Sequence, residues 1–271
     1  MLFICPKCKE KFMITADKRA VCVNGHSFDR AKEGYYNLLM SSKGGTHGDN
    51  HDMVMARRAF LSSDAYRPLV DKICSRVKEY VSDGVVILDG GCGEGYYTDF
   101  IERSLSESGI NAHVFGFDIS RDAVRYAAKK NPNLSLAVAS SYDIPTSDGS
   151  VDLFLNVFSP LAIDETRRVI RKGGKFIMAI PAENHLFGLK SVLYENPYKN
   201  TVADSELEGF TLLSQDRISY TLTLEGAEKI SALFMMTPYA YRTPPSARER
   251  LLAMKSLTTE IEFIVFVYER K

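Results

Sequence analysis

One stretch limits what this chain can fold into more than any other: VVILDGGCGEGYYTDFIERSL, residues 85–105. VVIL is a short apolar run without alternation, as in a strand buried on both faces of a parallel sheet. Asp89 ends it. Gly91, Gly93 and Gly95 then occupy every second place, and a helix is predicted to begin near Tyr96. Glycines at such a strand–loop–helix turn permit the bend and let a ligand lie against backbone. The spacing departs from the dinucleotide pattern G-x-G-x-x-G, and no Lys-Ser or Lys-Thr follows the last glycine, as a phosphate-cradling loop requires. S-adenosylmethionine carries no phosphate, and a carboxylate at the strand end, Asp89, suits its positive part.

The residues that follow continue the pattern. HVFGFDIS is a second strand ending in Asp118, which lies 23 residues past Gly95 and is placed to accept ribose hydroxyls. SRDAVRYAAKKNP reads as a helix, LSLAVASSYDIPTSDGSVDLFLNVFSP as two strands around a turn, and RRVIRKGGKFIMAIP as a helix end, a Gly-Gly turn and a fifth strand. FTLLSQDRISYTLTL and TTEIEFIVFVYER alternate like antiparallel strands, while LEGAEKISALF and SARERLLAMK are helical. Strands alternating with helices predict an α/β fold: a Rossmann-like, mostly parallel, doubly wound sheet. Ahead of it, MVMARRAFLSSDAYRPLVDKICSRVKEYV predicts two helices broken near Ser62-Ser63-Asp64, with Asp64 as the second N-cap. Arg57, Arg58 and Arg67 there are candidates for phosphate contacts or for an ordinary solvated face.

The chain opens differently. Cys5 and Cys8 are separated by two residues, Cys22 follows after thirteen, and His26 sits four further on. Cys5-Pro6-Lys7-Cys8 aims two sulfurs at one point, and Asn24-Gly25 is a strong tight-turn dipeptide. Three thiolates and an imidazole make a closed tetrahedral zinc set with no position for a catalytic water. A knot this small needs metal to fold. Lys7, Lys9, Lys11, Lys18 and Arg19 crowd it, with Phe3, Phe12 and Phe28 interleaved. Such a mixture suits RNA backbone and base stacking, or the phenylalanines form the knot's own core. Whether the knot binds RNA or props up the enzyme stays open at this level.

Charge adds a hint. Net charge is zero, yet residues 1–80 hold 14 Lys and Arg against 9 Asp and Glu, so a basic front precedes an acidic back. Five cysteines, three of them in the knot, make no disulfide framework and fit a reducing compartment. No run approaches the roughly 18 apolar residues of a membrane span, and there is no signal pattern. The expectation is a cytoplasmic protein with no membrane partner. Residues 1–36 are expected to form the zinc domain, 37–52 a linker rich in Gly, Ser, Asn and Asp, and 53–271 the larger domain.

LDGGCGEG, FDIS, YDIPTSDGSVD and RRVIRKGGKF in this order resemble class I S-adenosylmethionine-dependent methyltransferases over roughly residues 83–182. Lys172 stands where that family often has Pro. The knot, FDRAKEGYYNLL, and GDN…MVMARRAFL…YRPL leading into LDGGCGEGYYT resemble more narrowly the bacterial 23S ribosomal RNA (guanine-N1)-methyltransferases of the RlmA type. That resemblance implies zinc at Cys5, Cys8, Cys22 and His26. It implies donor contacts from Tyr66, Gly95, Tyr96 and His185, a homodimer whose two knots flank an RNA cleft so that residues 1–36 serve as an RNA-recognition domain, and methyl transfer to guanine N1 in a hairpin loop of 23S rRNA domain II, with no role for DNA. The segment Asn156-Val157-Phe158-Ser159-Pro160 lies where the target base enters in this fold. Phe158 is a candidate to stack on the base and Asn156 to bond its edge; the general base is not identified. Competing readings are a small-molecule methyltransferase and a non-catalytic RNA-binding protein.

Overall fold

The computed structural model describes residues 1–40, 48–202 and 204–271; the expected linker residues 41–47 lie outside these. A small antiparallel sheet comes first, from β1 (Phe12–Ile14), β2 (Ala20–Cys22) and β3 (Ser27–Phe28). β4 (Tyr36–Asn37) leaves it and joins the large sheet. Then follow α1 (His51–Leu61), α2 (Arg67–Tyr80), β5 (Val85–Gly90), α3 (Tyr96–Glu107), β6 (Ala112–Asp118), α4 (Arg121–Lys130) and β7 (Ser135–Val138). β8 (Val151–Val157), α5 (Ile163–Val169), β9 (Ile170–Pro181), α6 (Phe187–Leu193), β10 (Phe210–Glu225), α7 (Ala227–Met235), α8 (Pro245–Leu252) and β11 (Ser256–Arg270) complete the chain.

The eight strands run in the order β10-β11-β9-β8-β5-β6-β7-β4. β4 through β9 pair in parallel, and β11 is antiparallel to both β9 and β10. From β5 the chain steps outward through β6 to β7, then returns to the other side of β5 as β8. Ligands of open α/β sheets bind outside the carboxyl ends of the strands at such a reversal.

Period-two alternation divides the sheet's side chains between two cores. Ile87, Val114, Leu153, Leu155 and Ile177 face α2, α3 and α4. Leu88, Phe115, Phe117, Phe154 and Phe176 face the other way, into a cluster that includes Val169 of α5. Residues 134–160 were read as two strands around a turn, and residues 139–150, between the parallel strands β7 and β8, contain no helix. A parallel crossover is usually helical because a helix covers the exposed face. Here Phe3, Ala20, Tyr36 and Leu38 of the N-terminal module share the core cluster of that face instead, with the Phe3 ring 5.8 Å from that of Phe115, edge to face.

This docking bears on two expectations. The stretch read as a linker is partly built into the fold: Asn37 pairs with Val138, Leu38 is buried, and α1 begins at His51 with the Asn50 side chain capping Met53 N–H. Of the two readings of the knot's phenylalanines, Phe3 takes the core one, while Phe12 and Phe28, each half-buried, pack on each other at 5.5 Å. Asp64 is no helix cap either. It takes a left-handed conformation (φ 58°) in the turn, and Tyr66 stands at the N-cap of α2 with Pro68 just inside the helix. Proline fits the first helical turn, where its missing N–H is not needed.

Candidate functional site

Cys5, Cys8, Cys22 and His26 place their ligand atoms within 4.8 Å of one another. Cys8 Sγ is 3.6 Å from Cys22 Sγ, and His26 Nδ1 is 3.5 Å from Cys5 Sγ and 3.4 Å from Cys22 Sγ. A tetrahedron with Zn–S near 2.3 Å and Zn–N near 2.0–2.1 Å has edges of roughly 3.5–3.8 Å. The donor set therefore fits zinc in both chemistry and size. Cys8 is drawn down to about 6, chiefly by the Asn24 side chain and the Glu10 backbone N–H, which favour the thiolate a metal needs.

The second site lies at the carboxyl ends of β5, β6 and β8. Gly91, Gly93 and Gly95 all have positive φ (78°, 56° and 79°), and each serves differently. A Cβ on Gly91 would strike Ser159, and one on Gly95 would meet Ala127 at 2.8 Å. A Cβ on Gly93 would meet only Arg57, at 3.9 Å. Gly93 is thus the point where a ligand can approach the backbone. Its N–H donates to Asp118 Oδ2 (3.0 Å), and Ser120 N–H donates to Oδ1 (2.7 Å). These bonds aim the carboxylate across the loop while leaving each oxygen a free lone pair. Asp89 is buried deeper and accepts from Thr98 Oγ1 at 2.6 Å. Burial pushes its carboxyl up to about 7.

Beside the loop stands an aromatic group. Phe158 adopts φ 58° at the end of β8 and keeps 42% of its surface exposed. Its ring lies 6.2 Å from Tyr97, 6.4 Å from Tyr66 and 5.2 Å from Phe263. Tyr66 is buried among Phe60, Phe158, Phe263 and His185. Asn156 is buried too, and its amide holds Ser159 Oγ (3.3 Å) and Pro160 O (3.4 Å). These contacts shape the loop that carries Phe158. His185 Nδ1 accepts from Glu262 N–H (3.3 Å), so the other nitrogen carries the proton and donates to Tyr66 Oη (3.3 Å).

Burial drives the His185 imidazole down to about 3, from an ordinary 6.5. Between those values the unfolded chain binds a proton that the folded chain refuses. Stability from this group is therefore complete above pH 6.5 and lost as pH falls toward 3, by about 1.4 kcal/mol per pH unit. We expect the stability difference between wild type and His185→Gln to shrink by about 2–3 kcal/mol from pH 6.5 to 4.5 in urea unfolding. A pH-independent difference would refute the buried neutral imidazole.

Two features were missed in the sequence. Arg57 pairs with Asp49 beside Gly93, and Ser120 Oγ donates to Asp49 O (2.9 Å), so residues 48–50 and α1 lie across the loop. Of the arginines read as candidates for phosphate contacts or for a solvated face, Arg58 reaches Glu94 and stacks on Tyr126, and Arg67 pairs with Asp71. The Tyr97 hydroxyl is buried with no partner among the described residues. Burial raises it well above its ordinary value, so it stays protonated and able to donate. The signal was the doubled tyrosine of GEGYYT, since successive residues at a helix start diverge by about 100°. Tyr96 turns toward Phe100 and Lys130, and Tyr97 toward Phe158. A shallow cavity of about 300 Å³ near Glu102, Gly109 and Asn111 lies at the opposite end of the sheet, away from these groups.

Comparison with known proteins agrees with this geometry. Residues 81–226 match the family described as "Methyltransferase domain", and residues 3–43 match "RlmA, N-terminal", a zinc ribbon. The chain is 31% identical to the 23S rRNA (guanine(748)-N(1))-methyltransferase of Streptomyces fradiae, over 96% of this chain and 95% of that one. The chain belongs to the 23S rRNA (guanine-N1)-methyltransferase family. A second member, the provisionally named 23S rRNA (guanine-N(1)-)-methyltransferase YxjB of Bacillus subtilis (strain 168), is 29% identical over 97% of this chain and 96% of its own length. As in that family, the methyl donor is S-adenosylmethionine and the ribbon metal is zinc. Among the described residues no helix is long and apolar enough to cross a membrane.

Proposed function

We propose that this enzyme methylates N1 of a guanine in a hairpin loop of 23S rRNA domain II, in the cytoplasm and as a homodimer. The observation that carries the reading is the joining of the zinc ribbon and the donor loop in one chain, matched almost end to end by a guanine-N1 enzyme.

When bound, S-adenosylmethionine supplies an electrophilic methyl group on a sulfonium. Gly93 would admit its amino-acid end to the backbone and Asp118 would accept from its ribose hydroxyls, and the loop after β7 lies beside Asp118. Asp89 supports the loop from below through Thr98. Tyr66, Tyr96 and His185 border the same site, with Tyr66 held by His185. Phe158 offers its exposed face to the target base, and a loop guanine is already partly unstacked, which lowers the work of extruding it. Positioning does the rest, since the donor is reactive in itself.

The test is methyl transfer from labelled donor to unmodified 23S rRNA, to a domain II hairpin transcript, to duplex DNA and to a small-molecule extract. Label in the RNA, with a reverse-transcription stop at one loop guanine, is the expected result, because N1 methylation blocks pairing. Label in the extract alone would overturn it.

A further inference from the structure

The loop after β7 borders the donor site without the helix that usually braces a parallel crossover. It lies against Asp118, whose backbone carbonyl accepts from Ala139 N–H at 3.0 Å. The zinc module grips that loop at three points. At the entry, β4 pairs with Ala137 and Val138, and Leu38 N–H donates to Val138 O at 2.9 Å. At the exit, Phe3 bridges Thr146 and Ile4 N–H donates to Pro145 O at 2.8 Å. At the tip, Lys9 Nζ meets Asp143 at 2.5 Å. From the other side α5 completes the hold: Arg168 donates to the carbonyls of Ile144 and Thr146, and Glu165 accepts from Ile144 N–H.

The gripping residues flank the metal ligands. Ile4 precedes Cys5 and Lys9 follows Cys8. Cys5 O accepts from Lys9 N–H (2.8 Å), and Cys5 N–H donates to Glu10 O (2.8 Å). Closing the knuckle around zinc therefore fixes where Ile4 and Lys9 stand. The exposed Lys9–Asp143 pair adds little on its own. The packing of Phe3 on Phe115 and the Ile4 hydrogen bond carry the hold.

We infer that the zinc knot is a brace for the donor site: Phe3, Ile4 and Lys9 position the loop at 139–146, so that zinc occupancy sets the affinity for the methyl donor before any RNA is present. This rests on the donor site proposed above, and it gives the knot a task separate from RNA docking.

The experiment measures binding of S-adenosylhomocysteine by calorimetry, without RNA, to the zinc-loaded chain, the chelator-stripped chain and zinc-loaded Phe3→Ala. Hydrogen exchange follows residues 139–146, with β5 and β9 as internal controls of folding. Phe3→Ala keeps all four ligands, and its zinc content is measured directly. We expect both the stripped chain and Phe3→Ala to lose roughly tenfold in affinity, with faster exchange at 139–146 and unchanged protection of β5 and β9. Unchanged affinity after stripping overturns the inference. So does weakened binding on stripping with normal binding by Phe3→Ala, since the coupling would then bypass the grip. A zinc-loaded wild type that binds no S-adenosylhomocysteine overturns the donor-site reading itself, and the inference with it.

Discussion

Asp118→Ala lowers the affinity for S-adenosylhomocysteine by about 100-fold. Two ribose hydroxyls lose a charged acceptor, and hydrogen bonds to charged groups contribute roughly 1.5–3 kcal/mol each. About 3 kcal/mol in total corresponds to about two orders of magnitude in Kd. The same substitution leaves Gly93 N–H and Ser120 N–H without their acceptor, so the loop at Gly93 also loses its anchor. Asp118→Asn keeps the shape and one acceptor oxygen, and should fall between wild type and alanine. Calorimetry on folded variants checks both. Wild-type affinity in Asp118→Ala would show that the ribose is held elsewhere, and the assignment of the loop at Gly93 as the donor site would fail with it.

The second large effect belongs to Phe158. It is an exposed aromatic ring held at positive φ beside the buried Tyr66 and Phe263 and the half-buried Tyr97, with its backbone N–H tied to Ala179 O at 3.1 Å. Packing alone does not explain a phenylalanine left so open at this position. Stacking of one base on an aromatic ring contributes about 1–3 kcal/mol. Phe158→Ala should therefore cut kcat/KM for the RNA hairpin by about 5- to 150-fold and leave donor affinity as it was. The backbone strain is the same for alanine as for phenylalanine, so the substitution isolates the side chain. An equal fall in donor affinity would place Phe158 on the donor instead, and unchanged RNA kinetics would remove it from the site.

Asn156 and Phe158 show how far a sequence segment can be read. Both belong to one strand end, and the strand end was visible as a short apolar run closing in Ser-Pro. Which of the two reaches outward was not. The positive φ at Phe158 turns its ring to the surface, while the buried Asn156 amide spends its donors on the loop's own Ser159 and Pro160. The knot's phenylalanines follow the same logic. Phe3, Phe12 and Phe28 look alike among lysines, but their burial depends on what the module packs against, and Phe3 packs against a strand more than a hundred residues away.

The residues alone determined the strands, the glycine loop with its acidic neighbours, and the four zinc ligands. Each is a local signal: alternation of two, helical spacing, or a turn dipeptide within a few positions. Tertiary structure decided the rest. It set the zinc module in place of the missing helix between β7 and β8, laid Asp49 and Arg57 across Gly93, and turned the unpartnered Tyr97 hydroxyl inward. These depend on where elements distant in sequence meet and on which way a side chain faces once they do. No spacing along the chain encodes that, because the energy that selects it comes from burial shared between elements that the fold alone brings together.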